Sequence, residues 1–197
     1  MPKKVTVKRK TKETDIQIAL GLYGTGKYQI KTGISFLDHM LDLFAKHGLF
    51  DLKIFAKGDL DVDFHHTNED VAIALGEAFS KALGNRAGIK RFGEATIPMD
   101  EAQARVIVDI SGRPFLSFPG AGATGPGETG AYHLDYAVQF FKAFSDNCKA
   151  TIHVEIVRSG DSHHVIEAVF KAFAKALLRA VEKEPRAKGV PSTKGRI

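Results

Sequence analysis

Apolar and polar residues alternate within residues 4 to 20, with Ile16, Ile18 and Leu20 on one face and Asp15, Gln17 and Ala19 on the other, which predicts a strand. The GLYGTGK that follows reads as its hairpin turn, and a second strand starts near Tyr28. The period then changes. In FLDHMLDLFAKHG, Phe36, Leu37, Met40, Leu41 and Phe44 recur at helical spacing, and Gly48 stands where a glycine stops a helix. Residues 50 to 57 and 60 to 64 read as two short strands about a turn at Gly58 and Asp59. DVAIALGEAFSKALG predicts a helix with Val71, Leu75, Ala78, Phe79 and Leu83 inward. Residues 94 to 118 read as strands, and the Gly-rich FPGAGATGPGETGAY as a loop. Residues 134 to 147 form a helix with Val138, Phe141 and Phe144 on its stripe, TIHVEIVR a strand, and His163 to about Glu182 a last helix.

One pattern occurs twice. Residues 63 to 69 read DFHHTNE and residues 161 to 167 read DSHHVIE, 98 residues apart (163 − 65), each followed by an alanine-rich amphipathic helix and preceded by a helix and a strand. The same order of elements twice predicts a duplicated unit, with halves at 1–92 and 93–197. A lone HHxxE at a helix start reads as an exposed polar pair, whereas two copies at equivalent positions point to metal. On a helix, residues i and i+4 share a face, so His65 pairs with Glu69 and His163 with Glu167. His66 and His164 are turned about 100° away and serve a second ion or the substrate. Each shell would be completed by the other half or another subunit.

Composition narrows the chemistry. The 197 residues, 44% hydrophobic and 26% charged, suit one sizeable domain or two small ones sharing a core. No apolar run approaches the roughly 18 to 20 residues that cross a bilayer, and MPKKVTVKRK lacks an apolar segment behind its basic residues, so a cytoplasmic protein is expected. Cys148 is the only cysteine, which excludes an internal disulfide and a thiolate zinc site. Imidazole and carboxylate ligands favour Mn, Fe, Co, Ni or Zn. His39, His47 and His153 are further candidates, each equally readable as a hydrogen-bonded structural histidine. The net charge of +5 suits an anionic small molecule as well as nucleic acid, and the basic N-terminus reads as a solvated end. GLYGTGKY fails as a phosphate loop because Tyr28 replaces the Ser or Thr, and Gly120, Gly122 and Gly125 satisfy GxGxxG with no helix opening behind them.

With LDHML, DFHHTNEDVAIALG, RFGEATIPMDEA, DISGRP, DSHHVIEAVFKAFAKAL and PSTKG in this order, from about Thr11 to Gly195, the chain resembles the imidazoleglycerol-phosphate dehydratase family of histidine biosynthesis. The resemblance implies an α+β fold of two duplicated half-domains, each a small sheet backed by two helices, as in ribosomal protein S5 domain 2. It implies a 24-subunit homo-oligomer with active sites between subunits, each holding two manganese ions. The implied metal ligands are His39, His65, His66, Glu69, His163, His164 and Glu167. Glu13 matches the acid/base residue, with Glu167 also catalytic. Arg91, Arg113, Lys171, Ser192 and Lys194 match the phosphate-binding set, and Glu13, His39 and His47 also line the substrate. Two positions depart from many relatives. Gln139 stands where they have a metal-ligating His, so that water or Gln139 itself takes the place, and Leu43 stands where they have Gln.

The implied reaction dehydrates imidazole glycerol phosphate to imidazole acetol phosphate. It removes an unactivated C–H proton and expels hydroxide, and cations on the ring nitrogens ease both by favouring an imidazolate. Rival readings are an S5-like RNA-binding module gripping with its N-terminal lysines, and a two-metal phosphoesterase. Against the first, the 14 phenylalanines fall mainly on apolar stripes; against the second, no Asp-rich site is present.

Overall fold

The alternation at Ile16, Ile18 and Leu20 becomes β2 (Thr14–Gly21), which pairs antiparallel with β1 (Lys4–Lys10) on one side and β4 (Asp51–Gly58) on the other. In this computed structural model, which describes residues 4–119, 129 and 131–197, β3 (Tyr28–Lys31) lies parallel to β4 at the sheet edge. The first sheet therefore runs β1-β2-β4-β3. The second repeats it as β5-β6-β8-β7, from β5 (Phe92–Met99), β6 (Ala102–Asp109), β7 (Phe115–Ser117) and β8 (Thr151–Arg158). The registers match as well: Gly21 faces Asp51 in one sheet and Asp109 faces Thr151 in the other. The result is an α+β fold of two four-stranded mixed sheets backed by helices.

The helices are α1 (Ser35–Gly48), α2 (His65–Leu83), α3 (Leu134–Cys148) and α4 (Ser162–Val181). α2 packs under β1 and β2, α4 under β5 and β6, and the halves join through α1 against α4 and α2 against α3. The junction is aromatic. Phe173 of α4 lies 5.3 Å from Phe44, 5.0 Å from Phe141 and 5.1 Å from Phe144, ring centre to ring centre. Since deleting a fully buried phenyl ring leaves a cavity that well-packed neighbours fill poorly, Phe173→Ala is expected to lower stability by about 3–5 kcal/mol in denaturant melts. Cys148, buried at the end of α3, has its thiol pushed up to about 12 by burial, so a thiol reagent at neutral pH is expected to label it only after unfolding.

Several expectations change. Residues 60–64 are turn, not strand: Leu60, Val62 and Phe64 mimic alternation, but Asp63 Oδ1 accepts from His65 N at 2.7 Å and turns the chain into α2. GLYGTGK is no hairpin turn, because β2 and β3 are not neighbours in the sheet. Its loop is folded by Asp51, whose Oδ1 accepts from Thr25 N at 2.9 Å and Lys27 N at 3.2 Å. α1 does end at Gly48, but the left-handed residue is Leu49 (φ 56°), and glycine is needed because a Cβ would lie 2.2 Å from the Phe50 ring. The basic N-terminus is solvated through its side chains yet hung on edge strand β1, where outward lysines discourage pairing with another chain. The tail packs: Gly88 N donates to Gly189 O at 2.8 Å and Arg91 Nη1 to Pro191 O at 2.9 Å. The GxGxxG glycines lie outside the described residues. Among the described residues no helix is long and apolar enough to cross a membrane.

Candidate active site

Both motifs open their helices. Asp161 caps α4 by accepting from His163 N at 2.7 Å, and just ahead of α2, whose N-cap position is Phe64, Asp63 Oδ1 accepts from His65 N at 2.7 Å. The i,i+4 rule then acts. His163 Nε2 lies 3.3 Å from Glu167 Oε2, and His65 Nε2 lies 3.6 Å from Glu69 Oε2. His39, one turn into α1 of the first half, brings its Nε2 to 3.3 Å from the same Glu167 oxygen. His39, His163 and Glu167 thus offer three ligand atoms within 4.8 Å of one another, a group able to hold a cation. Glu167 is nearly buried, its side chain 8% exposed, and Lys171 Nζ sits 2.6 Å from its other oxygen. Burial pushes this carboxyl upward, but Lys171 and His39 overcome it and hold it below the ordinary carboxylate range. His47 lies near the same group, its imidazole shifted down by burial and by the Lys171 and Lys175 charges.

The second histidine of each pair points elsewhere, as the 100° turn requires. His66 Nδ1 lies 2.9 Å from Asp59 Oδ2, and His164 Nδ1 lies 2.9 Å from Glu101 Oε2. These hydrogen bonds raise both imidazoles above their ordinary value. Glu101 is held down at about 2 by backbone N–H donors, Asp161 first, and then by His164. Asp100, Glu101 and His164 form a second group able to gather a cation. Neither Asp59 nor Glu101 follows from the motif, because single acidic residues in turns look like solvated surface. Asp59 at least stands six residues before an HH pair, whereas Glu101, 62 residues before His163, gave no sequence signal.

Glu13 sits in the exposed β1–β2 turn, where Thr11 Oγ1 accepts from Glu13 N at 3.1 Å and Thr14 N at 3.0 Å. Thr14 Oγ1 in turn donates to the buried Asp70 of α2 at 2.5 Å, and Arg9 Nε reaches the same carboxylate at 2.7 Å. Glu13 and Asp59 together line a small cavity of about 320 Å³.

The remaining residues gather at the other end of the second sheet. Arg91, Arg113, Ser192 and Lys194, joined by Arg196, line a cavity of about 910 Å³. Arg91 adopts a left-handed backbone (φ 74°) and forks onto Asp109 at 2.7 and 3.1 Å. Among the described residues, Arg113 Nη1 makes only a 3.5 Å contact to Ser111 O. Lys171 is apart from this cavity, on Glu167. Ser111 meets Thr151 at the start of β8, whereas His164 lies past its end, so the eight residues of β8 separate the cavity from the histidines by about 25 Å. His153 stands exposed mid-strand, its ring 5.7 Å from that of Phe115. Gln139, 100 residues after His39 on the helix that repeats α1, has a buried Oε1 with no hydrogen-bond partner among the described residues. Leu43 packs partly buried against the core.

The sequence profile of the imidazoleglycerol-phosphate dehydratase family matches residues 32–177. Over 195 residues the chain is 54% identical to the imidazoleglycerol-phosphate dehydratase of Thermoanaerobacter sp. (strain X514), covering 98% of each, and it is 48% identical over 197 residues to that of Geobacter metallireducens, covering 100% of each. The crystal structure of IGPD from Pyrococcus furiosus in complex with (S)-C348 superposes with a TM-score of 0.83 at 34% identity, over 97% of this chain and 100% of that one. The imidazoleglycerol-phosphate dehydratase from Staphylococcus aureus gives 0.82 at 36% identity, over 92% and 100%. With likeness running the length of the chain in sequence and in fold, the chain belongs to the imidazoleglycerol-phosphate dehydratase family, hydro-lyases of histidine biosynthesis.

Proposed function

We propose that the chain dehydrates D-erythro-imidazole glycerol phosphate to imidazole acetol phosphate in sites holding two manganese ions between subunits of a homo-oligomer. The observation that carries this reading is the meeting of His39 from one half with His163 and Glu167 from the other, in a chain of this family. The donor set fits such ions: neutral imidazole nitrogens and carboxylate oxygens without thiolate suit Mn²⁺. One group is His39, His163 and Glu167. His65 and Glu69 form its repeat, to which the amide oxygen of Gln139, the counterpart of His39, would add an oxygen donor. His66 and His164 would supply the remaining imidazoles. Bound cations would place positive charge on the ring nitrogens and favour the imidazolate form of the substrate.

The chain's own residues divide the remaining work. Glu13 moves the carbon-bound proton from an exposed turn tied to α2 through Thr14 and Asp70. Arg113, Ser192 and Lys194 take the phosphate, while Arg91, already forked onto Asp109, holds the tail in place through Pro191. His39 and His47 line the ring, and Lys171 balances Glu167. The separation of about 25 Å between cavity and histidines supports sites shared between copies, since a single chain does not bring both to one small molecule. Exposed Phe92, Phe115 and Ile107 on the second sheet supply apolar surface for such contacts. The assembly is taken to be the 24-mer of the resemblance, built from halves 1–92 and 93–197.

The direct test is turnover of imidazole glycerol phosphate by purified protein with Mn²⁺, beside a native mass; no turnover together with tight RNA binding would return the RNA-module reading. Arg113→Gln is expected to raise KM about 10- to 100-fold with kcat nearly unchanged, the value of one charge-assisted hydrogen bond to phosphate. Steady-state kinetics decide it.

A further inference from the structure

The repeat can be followed to single residues in the two hairpins. β2 begins at Thr14 and β6 at Ala102, 88 residues on, so the residue just before each strand is Glu13 in one half and Glu101 in the other. Glu101 touches His164, the second histidine of its half, while Glu13 acts on His66 only through its charge. Equivalent in place, they are held in opposite ways.

Glu101 is fixed at its tip. The two-residue turn Asp100–Glu101, with Asp100 left-handed at φ 46°, aims it along the sheet. Its Oε1 accepts from Asp161 N at 2.7 Å, and His164 Nδ1 lies 3.2 and 2.9 Å from its two oxygens. Gly160 makes the room, for a Cβ there would stand 2.3 Å from Oε1. Glu13 is fixed only at its backbone; its exposed carboxylate makes no hydrogen bond to the described residues. In that half His66 Nδ1 is taken instead by Asp59, from the link between β4 and α2. That link has six residues before the first motif histidine (59–64), where the second half has four (159–162).

We propose that Glu101 and Asp59 are matched positioning residues, each holding Nδ1 of the second motif histidine so that Nε2 is presented to a cation. Asp59 has taken over in the first half what Glu101 does in the second, and this leaves Glu13 free to carry a proton. The physics is that of an imidazole whose Nδ1–H is donated to a carboxylate: the tautomer is set, the ring is aimed and Nε2 becomes more basic. Asp100, Glu101 and His164 are thereby support for an ion held through His164 Nε2 and not a separate site, since the N–H groups of Asp161 and His164 already occupy Glu101.

The proposal rests on the two-cation reading above, and the test separates the two. The full-length oligomer, stripped by chelator, is titrated with Mn²⁺ while free ion is followed by electron paramagnetic resonance, with thermal melts and turnover alongside. E101Q and D59N are each expected to lose about 10- to 100-fold in affinity at one of the two sites per chain, and the double variant at both. E13Q is expected to keep wild-type affinity at both while losing turnover. Because Glu101 also holds Asp161 N, D59N, whose carboxylate takes no backbone donor, is the variant that decides if E101Q folds poorly. Wild-type affinity in D59N and in a folded E101Q, or an equal loss in E13Q, overturns the assignment. A wild-type chain that takes up no Mn²⁺ overturns the cation reading itself, and the assignment with it.

Discussion

Glu167→Gln is expected to lower kcat about 10³-fold and to release one of the cations. Two imidazole nitrogens stand 3.3 Å from one oxygen of this carboxylate and the Lys171 ammonium 2.6 Å from the other, so three nitrogens converge on one anion. Glutamine keeps the volume but removes the charge, and its NH₂ cannot accept from the Lys171 ammonium or ligate a cation. Several kcal/mol of charge stabilisation lost at the reacting centre, at 1.36 kcal/mol per tenfold, gives the expected factor. The same change leaves Lys171, mostly covered, without its partner, so a lower melting temperature is expected as well. The sign with pH follows from the lowered carboxyl. Its stabilising contribution is present above the unfolded-state value and is lost as pH falls through the folded one, so the gap in melting temperature between wild type and variant should close on acidification. Metal content, kcat and melts at neutral and acid pH check the three parts; a variant that retains both ions and full turnover would remove Glu167 from the site.

The repeated HHxxE was legible because it is local: seven contiguous residues, a fixed helical spacing and a helix start placed His163 on Glu167 and His65 by Glu69 before any fold was known. His39 stood as one of three open candidates until the resemblance singled it out, since no spacing rule relates residues 39 and 167 until α1 crosses α4. Asp59 and Glu101 were missed for the converse reason. Their partners are near in space, but a turn acid reveals nothing by periodicity, and its role appears only when the histidine ring is seen to point back at it. The misread strand at 60–64 shows a local side-chain hydrogen bond, Asp63 Oδ1 from His65 N, defeating alternation, and the loop at GLYGTGK shows a side chain 24 residues away, Asp51, replacing a turn. The tail from residue 183 lacks the apolar pattern that predicts packing; its order comes from backbone hydrogen bonds to Gly88 and from the grip of Arg91 on Pro191.

Glu13→Gln should separate proton transfer from everything else in the site. The turn that carries it is braced by Thr11, Thr14 and Asp70, none of which uses the Glu13 side chain, so fold and melting temperature are expected to stay at wild-type values. Binding of Mn²⁺ and of substrate is likewise expected to hold, because the carboxylate makes no contact with the His39–His163–Glu167 group and does not line the distant cavity at Arg91 and Arg113. On the proposed assignment the variant lacks its base, and kcat is expected to fall about 10²- to 10⁴-fold. Bracing the backbone while leaving the tip free suits this role, since a proton carrier needs a fixed origin and an unengaged carboxylate. Thr14→Val provides the complementary case: Glu13 remains, but Asp70 loses its hydroxyl donor and the turn its tie to α2, so kcat should fall by a smaller factor and Thr14→Ser should restore it. Kinetics with imidazole glycerol phosphate on the three variants decide the matter, and full turnover in E13Q would make Glu13 an ordinary exposed turn glutamate.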